Sequence, residues 1–581
     1  MPNPQESPTE PGLAQGTDSA SPKATLTVAR AIAQTLSAYG VSHYFCVTGG
    51  DHDLWLALDE VGIGIVNCRS EAAAAYMADG YARISGRPGM VYGQRGPGAS
   101  NVAAAMADAY WALSPVVALT SSIHMPARDR FQYQDVDTLP QYEPATIWNR
   151  SLSAPAHAAA MVRAALRAAT GPVPGPVHLE IPADMLTVEC ADVEIYAESR
   201  AGMVGRTRIQ PRPDELTELA KRMREAQRPL LLAGKGVHIA DACAELAQLA
   251  ESLSIPVATT LGGKGAIADD SPLAVGVVGR YSRRVANEVL RDCDMVIALG
   301  TRLGGLATHG WKLPFDEKRI VQIDADPQVI GHNFHTELGV VGDLKLALGG
   351  LVQLAGSQNG DGAREAWAQD VAEYVQAWQM HADALVDQEP ADGIHPARVL
   401  HELRAAMSPD DVLVADTGGI AAWAGTLFPV KRGRTFLRSA GSLGWALPGA
   451  LGAALAHPQQ RTVCLIGDGG LLYFVGEFET MMRQDIPVVV VLLNNQAFAS
   501  EHHLLKNIWG TELPAVTDFH DVDFAQVASG FGLHATTVSD ARDLSEALAD
   551  AIAEERPALV DIRISKEAQA PAEHFRGEDP I

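Results

Sequence analysis

The chain has 581 residues, of which 47% are hydrophobic and 6% aromatic, so it is too long for one ordinary core and predicts about three domains. Lys and Arg number 45 against 70 Asp and Glu, and the net charge of −25 argues against a surface for nucleic acids or anionic membranes. The six cysteines stand singly, which argues against a disulfide framework or a zinc site and favours a reducing, cytoplasmic location.

The first residues differ in composition from the rest of the chain. Residues 1–24 are rich in Pro, Ser, Gly and Glu and lack the apolar centre of a secretory signal, so we predict a disordered tail. After them, short apolar runs alternate with longer alanine-rich amphipathic stretches, a pattern typical of parallel sheets with crossover helices. The predicted fold class is α/β, with three domains that are each a parallel sheet flanked by helices.

The apolar runs fall into three blocks. The first, residues 25–190, contains the predicted strands SHYFCVTGG and GPVHLEIPADM, and a polar, Pro-containing connection follows it. The central block, residues 205–355, has strands that end in Gly or Asp where a ligand-facing turn is expected: RPLLLAGKG, IPVATTLGGKG, CDMVIALGTR and KRIVQIDADP. The small, polar segment AGSQNGDGAREAW predicts the start of a second linker.

The third block, residues 390–568, contains DVLVADTGG, RTVCLIGDGG, IPVVVVLLNN and RPALVDIRIS, and residues 569–581 form a second predicted tail. Its apolar run Val488–Leu493 has the length of a strand and is too short to span a bilayer. No membrane span is therefore predicted there.

Glycines and one acid follow the strand TVCLI, in the order Gly467, Asp468, Gly469 and Gly470. Backbone amides at such a turn attract phosphate, and a carboxylate beside a phosphate requires a cation between them. Mg²⁺ suits this place because it takes oxygen ligands and is commonly shared with a diphosphate. Asp468 and Asn495, with the backbone carbonyl of Ala497, are therefore the predicted metal ligands.

The order strand, GDG, helix, strand, NN, with 24 residues between GDG and NN, is more specific than either short motif. It resembles the diphosphate-binding motif of thiamine diphosphate enzymes of the acetolactate synthase and pyruvate decarboxylase superfamily, and the pattern is closest to acetolactate synthase large subunits. The resemblance implies thiamine diphosphate and Mg²⁺ as cofactors. It also implies a pyrimidine-binding first domain, a central domain and a diphosphate-binding third domain.

The first block carries a second part of the resemblance. RSEAAAAYMADGYARISGRPG and then GQRGPGASN are similar to the family's glutamate helix and its following glycine-rich turns. Glu71 falls on the glutamate that meets N1′ of the cofactor's aminopyrimidine ring, where a charge-assisted hydrogen bond favours the imino form. In the family this domain and the diphosphate domain that share one cofactor belong to different subunits, which implies a homodimer at minimum and predicts a homotetramer.

Other residues match the family position by position. Leu443, in AGSLGWALPGALGAAL, occupies the wedge position that bends the cofactor, and Gly418 and Gly419, in ADTGG, match a turn that binds the diphosphate. Gly50 is the small residue that acetolactate synthases keep in the active site, and Gln134 matches an active-site glutamine.

The predicted reaction is decarboxylation of a 2-oxo acid with carboligation. One departure from acetolactate synthases is Leu306, which stands four residues after Arg302 where they carry a second arginine for the acceptor carboxylate. The segment QAFASEHHLLKNIWG also replaces their Trp-containing segment. An alternative is a thiamine diphosphate-dependent lyase or hydrolase acting on a 2-hydroxyacyl compound or a 1,2-dione.

Histidines near the predicted site are candidates for proton transfer. His52 and His502 are the preferred pair, although loop histidines of an acidic protein are mostly solvated surface. Acetolactate synthases also bind FAD in the central domain; here VGVVGRYS replaces their Gly-Met-His-Gly segment, so FAD is possible but not expected.

Two other classes of protein are alternatives, and the sequence argues against each of them. A catalytically silent regulatory subunit would not need Glu71, Asp468, Asn495 and Leu443 together, and all four are present. A nicotinamide dehydrogenase would need G-x-G-x-x-G and an acid about 20 residues later, and no block supplies both convincingly.

Overall fold

The computed structural model describes residues 24–355 and 362–573. Within these residues, three six-stranded sheets are parallel throughout and are flanked by helices. The predicted α/β class with three parallel-sheet domains is confirmed. Residues 1–23 and 574–581 of the predicted tails, and 356–361 of the predicted linker, lie outside the described residues.

The N-terminal domain supplies one parallel sheet and one short antiparallel pair. Its strands are β1 (Ala24–Thr27), β2 (His43–Cys46), β3 (Gly64–Asn67), β4 (Gly89–Gly93), β5 (Val116–Ser122), β6 (Trp148–Ser151), β7 (Val177–Pro182) and β8 (Glu189–Val193). Its helices are α1 (Val28–Ala38), α2 (His52–Glu60), α3 (Glu71–Ser85), α4 (Pro97–Ala112), α5 (Leu139–Tyr142) and α6 (Ala158–Ala169). The sheet order is β3-β2-β4-β5-β7-β6, and β1 pairs with β8. Because the order reverses between β2 and β4, the segments after these two strands meet.

The central domain repeats this arrangement. Its strands are β9 (Pro229–Ala233), β10 (Val257–Thr259), β11 (Ala274–Val277), β12 (Met295–Leu299), β13 (Arg319–Asp324) and β14 (Leu338–Val341). Its helices are α7 (Pro213–Glu225), α8 (Lys235–Ile239), α9 (Cys243–Leu253), α10 (Arg284–Asp292) and α11 (Leu344–Ala355). The sheet order is β11-β10-β9-β12-β13-β14, so the reversal lies between β9 and β12.

A long helix follows the central domain where the sequence predicts the start of a linker. This helix, α12 (Gly362–Val386), packs Trp367 and Val371 into the core of the central domain. The Nε1 of Trp367 also donates a hydrogen bond to the carbonyl of Pro229, 3.0 Å away. The connection is therefore a packed helix for most of its length.

The C-terminal domain contains the third sheet. Its strands are β15 (Val412–Ala415), β16 (Phe436–Arg438), β17 (Thr462–Gly467), β18 (Val488–Asn494), β19 (His534–Val538) and β20 (Ala558–Arg563). Its helices are α13 (Pro396–Ala406), α14 (Gly419–Leu427), α15 (Ala446–Ala456), α16 (Asp468–Phe474), α17 (Glu477–Arg483), α18 (Ala499–Trp509), α19 (Pro514–Thr517), α20 (Phe524–Phe531) and α21 (Leu544–Ala553). The sheet order is β16-β15-β17-β18-β20-β19. Strand β18 is buried along its whole length, which explains its continuous apolar run.

The N-terminal and C-terminal domains of one chain pack through α3 and α15. A Cβ atom at Gly80 of α3 would lie 2.0 Å from the carbonyl oxygen of Gly449 in α15. A Cβ atom at Gly452 would lie 1.9 Å from the carbonyl oxygen of Met77. The two helices therefore touch through their backbones, and only glycine fits at these positions.

A buried cluster of ion pairs in the central domain also contacts the C-terminal domain through a hydrogen bond. Asp269 lies 2.9 Å from Arg283 and 3.0 Å from Lys264, and it accepts a hydrogen bond from the Val430 amide. Burial pushes the pKa of Asp269 upward, but the two cations outweigh it and leave the pKa below its usual value. None of the described helices has the length and apolar character that crossing a membrane requires.

Candidate active site

Two strands of the C-terminal sheet end side by side where its strand order reverses. Strand β15 is followed by Asp416 and the turn at Gly418, and the adjacent β17 is followed by Asp468. Ligands of open parallel sheets bind outside the carboxyl ends of the strands at such a reversal. The fold therefore brings together two motifs that the sequence places about 50 residues apart.

Asp468 is the first residue of α16 and is only 3% exposed. Its Oδ1 accepts a hydrogen bond from the Gly469 amide over 2.9 Å, whereas its Oδ2 is buried without a hydrogen-bond partner. Burial raises the pKa of Asp468 to about 6, although the backbone amides of Gly469, Gln496 and Ala497 lower it. A buried carboxylate oxygen without a partner fits a ligand for a cation such as Mg²⁺.

The paired asparagines at the end of β18 have different surroundings. Asn494 is buried, and its side-chain amide donates a hydrogen bond to Asp561 over 2.9 Å. Asn495 follows the strand and is half-buried, at the same edge of the sheet as Asp468. Gln496 has a φ of 58°, so the chain turns directly after the pair. Asn494 is therefore held in the protein interior, and Asn495 is the member of the pair nearer to solvent.

A glycine turn and a serine lie opposite each other at this edge. Gly418 has a φ of 67°, which favours glycine, and it precedes α14. A Cβ atom at Gly418 or Gly419 would lie 3.5 or 3.4 Å from Oγ of Ser500 in α18. This Oγ is buried without a hydrogen-bond partner, and so is Oδ1 of Asp416. This edge of the C-terminal sheet therefore contains buried oxygens without hydrogen-bond partners, which suits the binding of a polar ligand.

Leu443 lies in the loop between β16 and α15 and is 37% exposed, although it is a large apolar residue. The next residue, Gly444, has a φ of 78° and donates its amide to Oδ2 of Asp416 over 2.9 Å. A Cβ atom at Gly444 would lie 2.7 Å from the carbonyl oxygen of Gly470. The loop that carries Leu443 is therefore held against the GDGG turn.

Glu71 begins α3 at the carboxyl edge of the N-terminal sheet. Its Oε2 accepts a hydrogen bond from the side chain of Asn101 over 3.1 Å, and its Oε1 would be 3.0 Å from a Cβ atom at Gly98. Gly98 and Asn101 both lie in the first turns of α4. A Cβ atom at position 98 would therefore be in tight contact with the Glu71 carboxylate.

The turn from Gln94 to Gly98 also lies beside two other predicted site residues. Gly50 has a φ of 36°, and a Cβ atom there would lie 3.4 Å from the side chain of Gln94. The carbonyl oxygen of Gln134 would lie 3.0 Å from a Cβ atom at Gly96. One turn after β4 thus brings Glu71, Gly50 and Gln134 to the same edge of the domain.

The two preferred histidines lie in different domains and in different surroundings. His52 is exposed at the first residue of α2. His502 in α18 is 4% exposed, and its Nε2 is 3.4 Å from a carboxylate oxygen of Glu567. Their assignment to proton transfer stays a prediction.

Two residues at the C-terminal edge were not singled out from the sequence. Asp416 follows the apolar run of DVLVAD in the same way that Asp468 follows TVCLIG. An acid at the end of a predicted strand is therefore a sequence signal that identifies Asp416 as a site candidate. Ser500 has no comparable signal, because its place beside Gly418 depends on how α18 folds back over the sheet.

A separate cavity of about 540 Å³ lies at the strand-order reversal of the central sheet. Lys235 and Arg302, which follow β9 and β12, line it together with Arg83 and Trp111 of the N-terminal domain and Arg438 of the C-terminal domain. Burial, with Arg302 nearby, lowers the pKa of Lys235 to about 7. The cavity is therefore bounded by all three domains and is rich in basic side chains.

Comparisons with known proteins agree with this three-domain arrangement. Family models match residues 26–140 ("Thiamine pyrophosphate enzyme, N-terminal TPP binding domain"), 216–351 ("Thiamine pyrophosphate enzyme, central domain") and 416–562 ("Thiamine pyrophosphate enzyme, C-terminal TPP binding domain"). Thiamine pyrophosphate is another name for thiamine diphosphate. The chain thus contains the three domains of this enzyme family in the predicted order.

Similar proteins extend over nearly the whole chain. A probable acetolactate synthase large subunit of Methanocaldococcus jannaschii is 33% identical over 548 residues, which cover 92% of this chain and 91% of the relative. An acetolactate synthase large subunit of Parasynechococcus marenigrum is 29% identical, over 95% of this chain and 89% of the relative. A sulfoacetaldehyde acetyltransferase of Castellaniella defragrans is 30% identical, over 91% of this chain and 90% of the relative. The family resemblance in the sequence is confirmed, and the chain belongs to the acetolactate synthase family of thiamine diphosphate-dependent carboligases and decarboxylases.

Proposed function

We propose that the chain uses thiamine diphosphate and Mg²⁺ to decarboxylate a 2-oxo acid and to join the remaining fragment to a second carbonyl compound. The observation that carries this proposal is the set of buried, unpaired oxygens of Asp416, Asp468 and Ser500 around one strand-order reversal. Unpaired buried oxygens are costly in a folded protein, so a set of them at one edge supports a bound polar group.

The residues at the C-terminal edge suit the diphosphate and its metal ion. In this proposal Asp468, Asn495 and the carbonyl of Ala497 bind Mg²⁺, and Asp468 is the charged ligand of the three. The backbone amides of Gly418, Gly419, Gly469 and Gly470 bind the diphosphate, with Gly467 as the last residue of the preceding strand. Bound thiamine diphosphate supplies an electron sink for cleaving or forming a bond next to a carbonyl carbon.

The residues at the N-terminal edge suit proton transfer. Glu71 would share a proton at its carboxylate with a nitrogen of the cofactor's aminopyrimidine ring, and Asn101 orients the carboxylate by its hydrogen bond to Oε2. Gly50 keeps space open beside Gln94, and Gln134 contributes a polar group. Leu443 supplies the apolar wedge, which its exposed position at the site edge supports.

The two edges are completed by a second copy of the chain in this proposal. Large apolar side chains are exposed beside both of them: Phe131 and Tyr133 before Gln134, and Leu472 and Tyr473 after Gly470. Exposed apolar groups beside a functional edge are typical of a surface that another subunit covers. We therefore propose a homodimer as the minimum active unit and a homotetramer as the assembly.

The relatives support a carboligase, and one residue supports a different substrate. Relatives named acetolactate synthase and sulfoacetaldehyde acetyltransferase both match the chain over most of its length. Leu306 is exposed and cannot form a bidentate pair with a carboxylate. Arg302, four residues earlier, lines the central cavity and stacks over Trp111, with 5.7 Å from its guanidinium carbon to the ring centre. We therefore propose that the acceptor lacks a carboxylate at this position.

Leu306 also favours the second candidate function. This alternative is a thiamine diphosphate-dependent lyase or hydrolase that cleaves a 2-hydroxyacyl compound or a 1,2-dione. Cleavage of either compound involves no acceptor carboxylate, so it needs no cation at position 306. The rest of the proposed site is the same for both reactions.

The central cavity is the proposed site for a nucleotide, because it lies at a sheet reversal and carries Lys235, Arg302 and Arg438. FAD is possible but not expected. Acid release of bound material from the purified protein, followed by mass analysis, tests this point. A flavin in the extract would establish FAD, and an adenine nucleotide would establish a different occupant.

The decisive experiment incubates the protein with thiamine diphosphate, Mg²⁺ and a panel of 2-oxo acids, with and without aldehyde or ketone acceptors. A parallel panel contains 1,2-diones and 2-hydroxyacyl compounds. Mass analysis of the products should show loss of CO₂ and a new carbon–carbon bond from the first panel, dependent on both cofactors. Turnover confined to the second panel would replace the proposed reaction with the alternative, and no cofactor-dependent turnover of either panel would overturn both.

A further inference from the structure

The loop that carries Leu443 is held by side chains of the other cofactor-binding domain. This wedge loop, residues 439–445, connects β16 to α15. Asp79 of α3 is 1% exposed and accepts a hydrogen bond from Nε1 of Trp445, the last residue of the loop, over 2.9 Å. The same carboxylate accepts two hydrogen bonds from Arg83, over 2.9 and 2.7 Å. Asp79 thus ties the end of the wedge loop to the N-terminal domain.

Arg83 extends this connection to the start of the loop. Its Nη1 donates a hydrogen bond to the carbonyl of Arg438 over 2.6 Å, and its guanidinium carbon lies 4.6 Å from the ring centre of Trp445. Asp108 of α4 adds a further contact, because its Oδ2 accepts a hydrogen bond from the amide of Ala440 over 3.2 Å. Both ends of the wedge loop are therefore fixed by carboxylates of the N-terminal domain.

The Nε1 hydrogen bond of Trp445 is distinct from the backbone contact between α3 and α15, although the Trp445 ring lies against Gly449 of that contact. Helices α3 and α15 touch through backbone atoms at Gly80, Gly449 and Gly452, and this contact does not need the Trp445 side-chain donor. Removing the Nε1 donor of Trp445 would therefore release the end of the wedge loop while α3 and α15 stay packed.

We propose that Asp79 is a positioning residue that sets the place of Leu443 through Trp445 and Arg83. Glu71 and Asp79 belong to the same helix and are eight residues apart, which corresponds to about 12 Å along the axis. In the proposed dimer one helix thus carries, at its first residue, the acid that serves one active site and, about two turns later, the anchor for the wedge loop of the other active site. This inference rests on the proposed function of Glu71 and Leu443.

The test compares Trp445→Phe with Trp367→Phe. Both tryptophans are buried and both use Nε1 as a hydrogen-bond donor, but Trp367 bonds to Pro229 in the central domain, away from the wedge loop. Phenylalanine keeps a smaller aromatic ring in each case and removes the donor, so the loss of buried volume is matched between the two variants. Because Nε1 of Trp445 bonds to a charged group, the loss of this hydrogen bond should speed local opening of the loop about tenfold or more.

Two readouts separate positioning from general stability. Amide hydrogen exchange of residues 439–445, measured on the cofactor-free protein, should be about tenfold faster in Trp445→Phe than in wild type and unchanged in Trp367→Phe. At saturating thiamine diphosphate and Mg²⁺, exchange of the cofactor's C2 proton should slow in Trp445→Phe and not in Trp367→Phe. The unfolding midpoint should fall by similar amounts in the two variants.

The outcomes distinguish this inference from the proposed function. Unchanged amide exchange of the wedge loop in Trp445→Phe would overturn the anchor, and so would equal C2 exchange in the two variants. Absence of cofactor binding in the wild type would instead overturn the proposed function, while the amide-exchange result would still report on the anchor. Asp79→Asn should repeat the effects of Trp445→Phe; if it does not fold, Trp445→Phe decides, because it keeps the pair of Asp79 with Arg83.

Discussion

Asn101 donates a hydrogen bond from its side-chain amide to Oε2 of Glu71 over 3.1 Å, so one oxygen of this carboxylate is paired within its own domain. The other oxygen, Oε1, lies against Gly98, where a Cβ atom would be 3.0 Å from it. The carboxylate is therefore oriented before any ligand binds. Orientation of this kind lowers the cost of placing a proton-transfer group.

Replacing Glu71 by glutamine should separate cofactor binding from proton transfer. The glutamine side chain would keep the shape and a hydrogen bond but could not accept the proton, and positioned acid–base groups contribute about 10²–10⁴-fold. We expect cofactor affinity to change little and C2 proton exchange of bound thiamine diphosphate, followed by NMR after acid quenching, to fall about 100-fold or more. The matched control is Glu546→Gln, an exposed glutamate in the first turn of α21. Full exchange in Glu71→Gln would contradict the role of Glu71.

Asp468→Ala should remove Mg²⁺-dependent binding of the cofactor, because it deletes the only charged ligand of the proposed metal set. Calorimetric titration with thiamine diphosphate, with Mg²⁺ and with a chelator, measures this directly. In the metal-free protein the same variant should unfold at a higher temperature than wild type, since it removes a buried oxygen that has no partner. Asp550→Ala, on the exposed face of α21, is the control for loss of an acid. Unchanged Mg²⁺-dependent binding in Asp468→Ala would exclude Asp468 as a metal ligand.

Features encoded locally were predictable from the sequence. Strands β17 and β18 are continuous apolar runs that end at Gly467 and Asn494, and turn residues after buried runs mark strand ends reliably. The placement of Asp468 at a ligand-facing edge follows from the same rule, since ligands lie beyond the carboxyl ends of parallel strands. Local pattern was therefore enough for the fold class and for the edges that carry the candidate site.

Features that depend on distant partners were not predictable. The segment AGSQNGDGAREAW predicts the start of a linker, but α12 begins within it at Gly362, because Trp367 and Val371 find a buried surface on the central domain. Asp79 and Trp445 are 366 residues apart, and nothing in either local sequence indicates their hydrogen bond. Such contacts arise from packing between domains, about which helix and strand periodicity carry no information.

Asp416 should make the stability of the cofactor-free protein depend on pH. Burial raises the pKa of Asp416 to about 7, although amides such as that of Gly444 lower it. In the unfolded chain its pKa is about 3.9, so the folded protein binds an extra proton between about pH 4 and pH 7. The stabilising contribution of that proton is present below about pH 4 and is lost as the pH rises to about 7.

Asp416→Asn should remove this dependence, because the amide stays neutral at every pH. The unfolding midpoint of the variant relative to wild type should therefore rise between about pH 4 and pH 7, by an amount equivalent to about 2–4 kcal/mol. Other carboxyls with raised pKa values, such as Asp108, are present in both proteins and cancel in the comparison. A difference that stays constant with pH would contradict a buried, protonated Asp416.

Gly452→Ala should destabilise the contact between α15 and α3, because the added Cβ atom would lie 1.9 Å from the carbonyl oxygen of Met77. Overpacking of a close contact costs about 1–3 kcal/mol, and here the obstacle is backbone and cannot move as a side chain would. The control is Gly349→Ala in α11, where a Cβ atom meets nothing within 4 Å. Alanine is favoured over glycine in a helix by about 0.5–1 kcal/mol, so the control should be stabilised. Thermal unfolding of both variants measures the difference, and a Gly452→Ala midpoint at or above that of the control would mean that the two helices do not touch at this position.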